Sequence, residues 1–289
     1  MDHKENLSGW GNNINVNSNI YLPRNNADIS NFYKKGLLSN CITRGLGRSY
    51  GDSSLDHNVI SLKNYEKFVK FDDKLGTLEC SSNYSLSEIL SLIIKKGWFL
   101  NVTPGSKFVT IGGAIASDVH GKNHHLDGSF CDYVFSFKIV TSEGILYNCS
   151  KEENLELFHA SCAGMGLTGI IISAKIKLLK IKSKLIDTEI VKTKNLDETI
   201  KNFTKFNKNK YLVAWIDALA KKEHIGRSII FIGNHSDQGD LNFLENIKFS
   251  IPKIFPGFLL NNYVIKSFNK FYYFFHKNKK VKQSLDNFF

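Results

Sequence analysis

Two stretches of this sequence carry residue types that could do chemistry. The first is Arg44-Gly45-Leu46-Gly47-Arg48-Ser49-Tyr50-Gly51-Asp52, followed by Ser53. Its glycines permit left-handed backbone and expose successive N–H groups, a nest that holds phosphate without a helix dipole. Arg44, Arg48 and the Ser49 hydroxyl could add charge and donors. The other reading is a glycine-rich turn with solvated arginines. No Gly-x-x-x-x-Gly-Lys-Ser/Thr pattern is present, which counts against a P-loop nucleotidase.

The second stretch is Thr103-Pro104-Gly105-Ser106, then Val109-Thr110-Ile111-Gly112-Gly113-Ala114-Ile115-Ala116-Ser117-Asp118-Val119-His120. From Gly112 to Ala116 every side chain is small or β-branched, so a flat ligand could lie against the backbone. Polar groups then crowd at Asp118, His120, Lys122, His124 and His125. His120-x-x-x-His124 has metal-ligand spacing on a helix. Gly121 and Asn123 disfavour a helix there, so no metal is expected. A third run, Gly164-Met165-Gly166-Leu167-Thr168-Gly169, matches G-x-G-x-x-G letter for letter. A dinucleotide fingerprint needs a strand before it and a helix after it. Here a helical pattern precedes and a β-branched run follows, so the match is rejected, leaving a turn that lets backbone approach a ligand or strand.

The elements that must position these stretches are short. Ser85-x-x-Glu88 is a capping box, and Leu86, Ile89, Leu90, Ile93 and Ile94 follow at helical spacing, with Gly97 just past the end. A second helix is expected over 153–163 and a third over 196–206. Strands are expected at 59–62, 76–80, 135–140, 170–179, 211–216 and 227–232. Residues 1–40 are rich in Asn and Ser with few apolar runs. A charged stretch at 180–184 suggests a domain boundary, giving domains over 1–180 and 181–289. The mixture lacks strict βαβ alternation, so the fold class expected is α+β.

The chain has 289 residues, room for about two domains at roughly 150 each. With 42% hydrophobic and 22% charged residues, it is neither wholly disordered, collagen-like nor a coiled coil. Its 38 basic and 27 acidic residues give a net charge of +11, which favours anionic partners. No RRM, KH or helix-turn-helix pattern supports a nucleic-acid module. The five cysteines include no C-x-x-C pair and read as buried free thiols of a reducing compartment. No secretory signal is visible. The best apolar run, at 169–174, is cut short by Lys175, Lys177 and Lys180, so a soluble or peripheral protein is expected. Residues 262–282 interleave aromatics with lysines. They read either as an anionic-membrane contact or as a solvated basic face over a core-facing aromatic stripe.

Together the two glycine motifs resemble the PCMH-type flavin domain of the vanillyl-alcohol oxidase and para-cresol methylhydroxylase superfamily. The wording R-G-L-G-R-S-Y-G-D plus G-G-A-I-A-x-D-x-H-G-K-N-H-H most resembles the decaprenylphosphoryl-β-D-ribose 2′-oxidase family. The resemblance extends from Gly9-Trp10-Gly11 through Leu167 to Ile171, Val213 to Asp217 and Gly226-Arg227. It implies a flavin domain of two α+β subdomains and part of an α+β substrate domain. It implies FAD, with residues 44–53 around the pyrophosphate. Gly105, Thr110, Ile111, Gly112, Gly113, Ser117, Asp118, Val119 and His120 would line the rest of the cofactor. Gly169, Ile170 and Ile171 would approach the adenine side.

His120 and Lys122 would be the catalytic pair facing substrate, with Lys122 and Trp215 as substrate contacts. Trp215 reads equally as a core aromatic. Relatives that attach FAD covalently carry a His where this chain has Arg48, so non-covalent FAD is implied. The implied reaction is oxidation of the 2′-hydroxyl of a polyprenyl-phosphoryl ribose, as in making arabinan precursors for a cell wall, with a separate keto-sugar reductase acting on the product. Alternatives are an aldonolactone oxidase of the D-arabinono-1,4-lactone type, which usually carries the loop His, and a flavin-binding remnant. The family's base is most often a lysine near the C-terminus, with a tyrosine of that region touching the flavin. Neither has a counterpart here, so the chain reads as an N-terminal portion of a longer oxidase.

Overall fold

The Asn- and Ser-rich start of the chain folds into strands despite its few apolar runs. In the computed structural model, which describes residues 3–37, 40–242, 257 and 261–289, β1 (His3–Ser8) pairs antiparallel with β2 (Asn15–Tyr21). A helix, α1 (Asn26–Lys34), follows, its first turn capped by the Asn25 side chain, which accepts from the Asp28 N–H. β3 (Ile42–Arg44) and β4 (Asn58–Ser61) then add in parallel, giving the order β1-β2-β4-β3. Only four buried side chains, Leu7, Ile20, Ile42 and Val59, close one face of this sheet. That thin core explains why hydrophobic periodicity barely registers there.

The second sheet is antiparallel and carries the stronger pattern. It contains β5 (Val69–Asp72) and β6 (Thr77–Ser81), after which come α2 (Leu86–Ile93) and β7 (Trp98–Leu100). Two short helices, α3 (Ile111–Ala116) and α4 (His124–Asp127), precede β8 (Val134–Val140) and β9 (Leu146–Ser150). Then come α5 (Leu155–Ser161) and β10 (Ile170–Lys180), in the order β5-β6-β10-β8-β9 with β7 on β10. β10 is the spine: Ile170 to Ala174 are all buried, and Lys175 and Lys177 then alternate outward. The α2 capping box forms as expected, Ser85 and Glu88 each bonding the other's backbone N–H, and Gly97 takes a left-handed φ of 78° just past the final turn.

A third sheet is built from β11 (Leu185–Thr193), β12 (Tyr211–Ile216), β13 (Ser228–His235) and β14 (Lys279–Ser284), in the order β12-β13-β11-β14. The helix α6 (Leu196–Lys205) packs Phe203 against Leu212, Ile230 and Ile232 of this sheet. The remaining helices are α7 (Asn262–Phe275) and α8 (Leu285–Phe288). The class is α+β, as expected.

The chain divides into two units, Met1–Gly121 with Gly128–Lys180, and Lys122–Asp127 with Ile181–Phe289. The expected first domain over 1–180 therefore needs a correction at 122–127. That segment is tied to the second unit: Leu212 N–H donates to the Lys122 carbonyl, His125 bonds the Asn209 carbonyl, and Lys210 pairs with Asp127 at 2.8 Å. Among the described residues, no helix is long and apolar enough to cross a membrane, and all five cysteines are free thiols. For the aromatics of α7, the exposures count against the core-facing alternative. Phe268, Phe271, Phe274 and Phe275 are exposed, not core-facing.

Candidate functional site

The first glycine stretch leaves the end of β3 as an irregular loop, and Arg44 holds its root. The Arg44 guanidinium donates to the Ser8 carbonyl at 2.7 Å and to Ser54 Oγ at 3.0 Å. Burial lowers its pKa from the usual arginine value. These bonds fasten the loop to β1, and because both acceptors are neutral the positive charge of Arg44 is not cancelled. Gly47, at φ 62°, lies so close to this guanidinium that a Cβ would overlap it. Arg48 is exposed, donates to the Leu46 carbonyl at 2.7 Å, and sits 5.1 Å from the Trp10 ring centre. The Trp10 backbone N–H in turn donates to the Ser49 carbonyl at 2.7 Å, so Gly9-Trp10-Gly11 braces the loop from outside.

The second stretch meets the first. A Cβ on Gly45 would stand 2.6 Å from Thr110 Oγ1, a separation only glycine tolerates. Thr110 caps α3, its Oγ1 accepting the Gly113 N–H at 3.0 Å. Gly112 donates to the Ser82 carbonyl at 2.9 Å, and Ser82 Oγ donates to the Ile171 carbonyl. The third glycine run closes the ring. Met165 N–H donates to the Ala116 carbonyl at 2.8 Å, and Gly169 crosses β8 so closely that a Cβ would lie 2.3 Å from the Val140 carbonyl oxygen. The rejected fingerprint is a turn, with α5 before it and β10 after it, as its surroundings in the sequence require.

These three segments enclose a cavity of about 390 Å³ within the first unit. Of the residues singled out by sequence, Arg44, Gly45, Leu46, Ser49 and Ser53 line it from the first loop. Thr110, Gly112, Gly113 and Ser117 line it from α3 and its flanks, and Gly169 and Ile171 from the turn. The others lie outside its lining. Gly47 is buried against Arg44, while Arg48, Tyr50, Gly51 and Asp52 form the outer part of the loop, with Tyr50 77% exposed. Ile111 and Ile170 are core residues. Gly105, Val119 and His120 are also away from the lining, and His120 is exposed, paired through backbone with Ser129.

Asp118 is a structural carboxylate. It adopts φ 39° and accepts from the Cys131 N–H and the Ser129 hydroxyl, both at 2.8 Å. Beside it the Cys131 thiol is pushed up, first by its hydrogen bond with Cys162 and then by burial. Lys122 and Trp215 belong to the second unit. The Lys122 ammonium donates to the Phe288 carbonyl and lies 4.5 Å from the Phe288 ring centre. Trp215 is half-buried with its ring 4.9 Å from Tyr272 of α7, a packing role. Among the described residues, no group of His, Cys, Asp or Glu could hold a metal.

Sequence reasoning missed the cavity wall supplied by β4, β6 and the residues around them. Ser61, Lys63, Lys67, Ser82, Asn83, Ser85 and Glu88 line it. Asn83 stands out. Its Nδ2 donates to the Leu62 and Tyr65 carbonyls at 2.8 and 3.0 Å, while its buried Oδ1 has no partner. A lone acceptor in a cavity wall calls for a donor from a bound molecule. The lining cations Arg44, Lys63 and Lys67 outnumber the single carboxylate, Glu88, which Lys67 pairs at 2.6 Å. A flavin dinucleotide fits on three counts: flat backbone surfaces where no side chain projects, hydroxyls and N–H groups from two loops, and a positive balance for a pyrophosphate.

Comparison with known proteins agrees. Residues 19–150 match the family model for an FAD-binding domain. The chain is 31% identical over 246 residues to the decaprenylphosphoryl-β-D-ribose oxidase of Mycolicibacterium smegmatis, covering 80% of this chain and 54% of that protein. It is 31% identical over 153 residues to an uncharacterized protein of Streptomyces coelicolor, covering 53% of this chain and 41% of the relative. With the Homo sapiens Delta(24)-sterol reductase it shares 23% identity over 141 residues, 49% of this chain and 27% of the reductase. The chain thus spans about half the length, or less, of these relatives. The chain thus carries an FAD-binding domain over residues 19–150, whose residues supply most of the cavity lining in the first unit, and it is similar to FAD-linked oxidoreductases that include the decaprenylphosphoryl-β-D-ribose oxidase.

Proposed function

We propose that the chain serves an FAD-dependent oxidation of a secondary alcohol of a sugar, the 2′-hydroxyl of a polyprenyl-phosphoryl-β-D-ribose, to the 2′-keto sugar. The observation that carries this reading is the cavity itself: two separate glycine motifs converge on Thr110 and leave a flat, cation-rimmed space. The 31% identity to the Mycolicibacterium smegmatis oxidase supports the choice of substrate class. Bound FAD supplies a hydride acceptor.

This chain's residues hold and orient. The backbone of Gly45, Gly112 and Gly113, bare of side chains, would let a flat cofactor come close, and Lys63 would offset its charge while Lys67 is paired with Glu88. Asn83 Oδ1, buried without a partner, would accept a hydrogen bond from it. Attachment is non-covalent, because Arg48, engaged with Leu46 and Trp10, stands where an attaching histidine would be. The family resemblance makes His120, exposed and outside the cavity lining, the candidate for a hydrogen bond beside the reacting hydroxyl. A separate reductase acting on the keto sugar would complete an epimerisation toward an arabinan precursor.

Purified protein is expected to show flavin absorbance and to release all of its yellow colour into the supernatant on acid precipitation. Anaerobic addition of a polyprenyl-phosphoryl ribose is expected to bleach that absorbance. Colour kept in the pellet would overturn the non-covalent assignment. A flavin spectrum that no polyprenyl-phosphoryl pentose bleaches would overturn the substrate assignment while leaving the cofactor in place.

A further inference from the structure

We propose that the outward face of α7 is a docking surface for an anionic lipid bilayer. The helix has two unlike sides. On one, Asn269 donates to Asp217 at 2.7 Å, the Tyr273 hydroxyl donates to the Thr193 carbonyl at 3.1 Å, and Tyr272 packs on Trp215. These bonds fix the rotation of the helix on the third sheet. The other side therefore has no route into the core. It carries Tyr263, Phe268, Phe271, Phe274 and Phe275, which are 85, 58, 60, 71 and 73% exposed. Four phenylalanine rings with a tyrosine beside them, all facing outward on one helix, are rare on a surface that meets only water.

Charge selects the occupant. Residues 261–282 contain six lysines, at 266, 270, 277, 279, 280 and 282, and no Asp or Glu. Lys266 and Lys270 are one helical turn apart and border the rings, since Lys266 is three residues after Tyr263 and Lys270 four before Phe274. A second copy of this chain would set like charges against each other. Anionic headgroups instead meet the lysines while the rings enter the boundary between headgroups and acyl chains. At 14 residues the helix is about 21 Å long, too short to cross a bilayer but suited to lying in its surface. The proposal does not need the sugar-oxidation reading, because vesicles without any sugar test it.

The experiment is flotation of the full chain with phosphatidylcholine vesicles and with vesicles containing phosphatidylglycerol. The chain is expected to float with the anionic vesicles, less so as salt rises, and to stay down with the neutral ones. Phe271→Ser/Phe274→Ser/Phe275→Ser is expected to cut partitioning by tenfold or more. Lys266→Gln/Lys270→Gln, which leaves the rings in place, is expected to cut it about tenfold. Unchanged circular dichroism shows that a variant has folded, and should the serine variant fail this check, the lysine variant decides. Three results overturn the proposal: wild type that stays down with anionic vesicles, a folded ring or lysine variant that floats like wild type, or a concentration-dependent dimer that the serine substitutions abolish, which would make the face a self-interface.

Discussion

The two units solve the same problem, holding polar groups in fixed places, by opposite means. The first fastens its cavity with backbone carbonyls, hydroxyls and the absence of side chains: Gly45 against Thr110, Gly112 on Ser82, Gly169 on Val140. The second uses charge and rings. Its Asp217, only 2% exposed, accepts from Arg227 at 2.6 and 2.9 Å, from Asn269 at 2.7 Å and from the Leu219 N–H at 3.1 Å. Burial pushes the Asp217 carboxyl up, but these donors, Arg227 first among them, together outweigh it and hold the carboxyl below the usual carboxylate range. A site made of missing side chains fails when one is added, whereas a site made of charge fails when one is removed.

The largest expected effect tests the first half of that contrast. Gly169→Ala places a Cβ 2.3 Å from a backbone oxygen at φ 145°, with no flexible side chain to yield. It is expected to destabilise the first unit by about 3 kcal/mol or more and to lose FAD. Gly36→Ala is the control. At φ 67° with nothing within 4 Å, it should cost only about 1 kcal/mol. Thermal unfolding with flavin release as the signal compares the two, and equal losses would mean that the crowding at Gly169 is not what matters.

Next comes the second half. Asp217→Ala leaves Arg227, with 18% of its side chain exposed, and the buried Asn269 without their shared acceptor. The expected cost is about 3 kcal/mol in the second unit, with FAD affinity unchanged, read by denaturant unfolding and flavin titration. A matching loss of flavin affinity would show that the units do not divide the work in this way.

Much of this division was legible in the sequence, and the reasons differ by region. β10 and α2 could be read because burial there is periodic: alternating lysines on one, Leu86 to Ile94 on the other. The strands β1 and β2 could not, since only Leu7, Ile20 and Tyr21 of their residues are buried apolar side chains. The glycine motifs pointed to the cavity because backbone approach demands glycine itself. Asn83 and Lys63 gave no such signal: any sequence holds asparagines and lysines, and only the fold brings these to the cavity that Gly112 also lines. His120 shows the reverse. Its neighbourhood in the sequence is rich in chemistry, but Asp118 there is bonded to Ser129 and Cys131 and the histidine lies outside the cavity lining. The aromatic stripe of α7 was ambiguous for a physical reason, since Phe and Lys at mixed spacing describe a core-facing or a bilayer-facing helix equally well. Only the bonds of Asn269 and Tyr273 to the third sheet decide its rotation.

The smallest effect sharpens the contrast through pH. In the second unit the Tyr211 hydroxyl and His235 Nε2 are hydrogen-bonded at 2.8 Å. Burial, with the Lys210 charge adding to it, lowers the His235 pKa to about 4 from 6.5. Folding therefore favours the neutral ring, and the unfolded chain binds the proton more readily. The stabilisation is complete above pH 6.5, is lost as pH falls from 6.5 toward 4, and changes no further below that. Because the ring is only partly enclosed, the loss is expected to be on the order of 2 kcal/mol, less than the full shift would give. His235→Gln, which cannot titrate, should flatten this slope in denaturant unfolding of the second unit between pH 7 and 4 (working range about three units). A slope that survives the substitution would place the acid sensitivity on another group. A slope seen equally in flavin release from the first unit would show that the charge-based unit is not where this chain responds to acid.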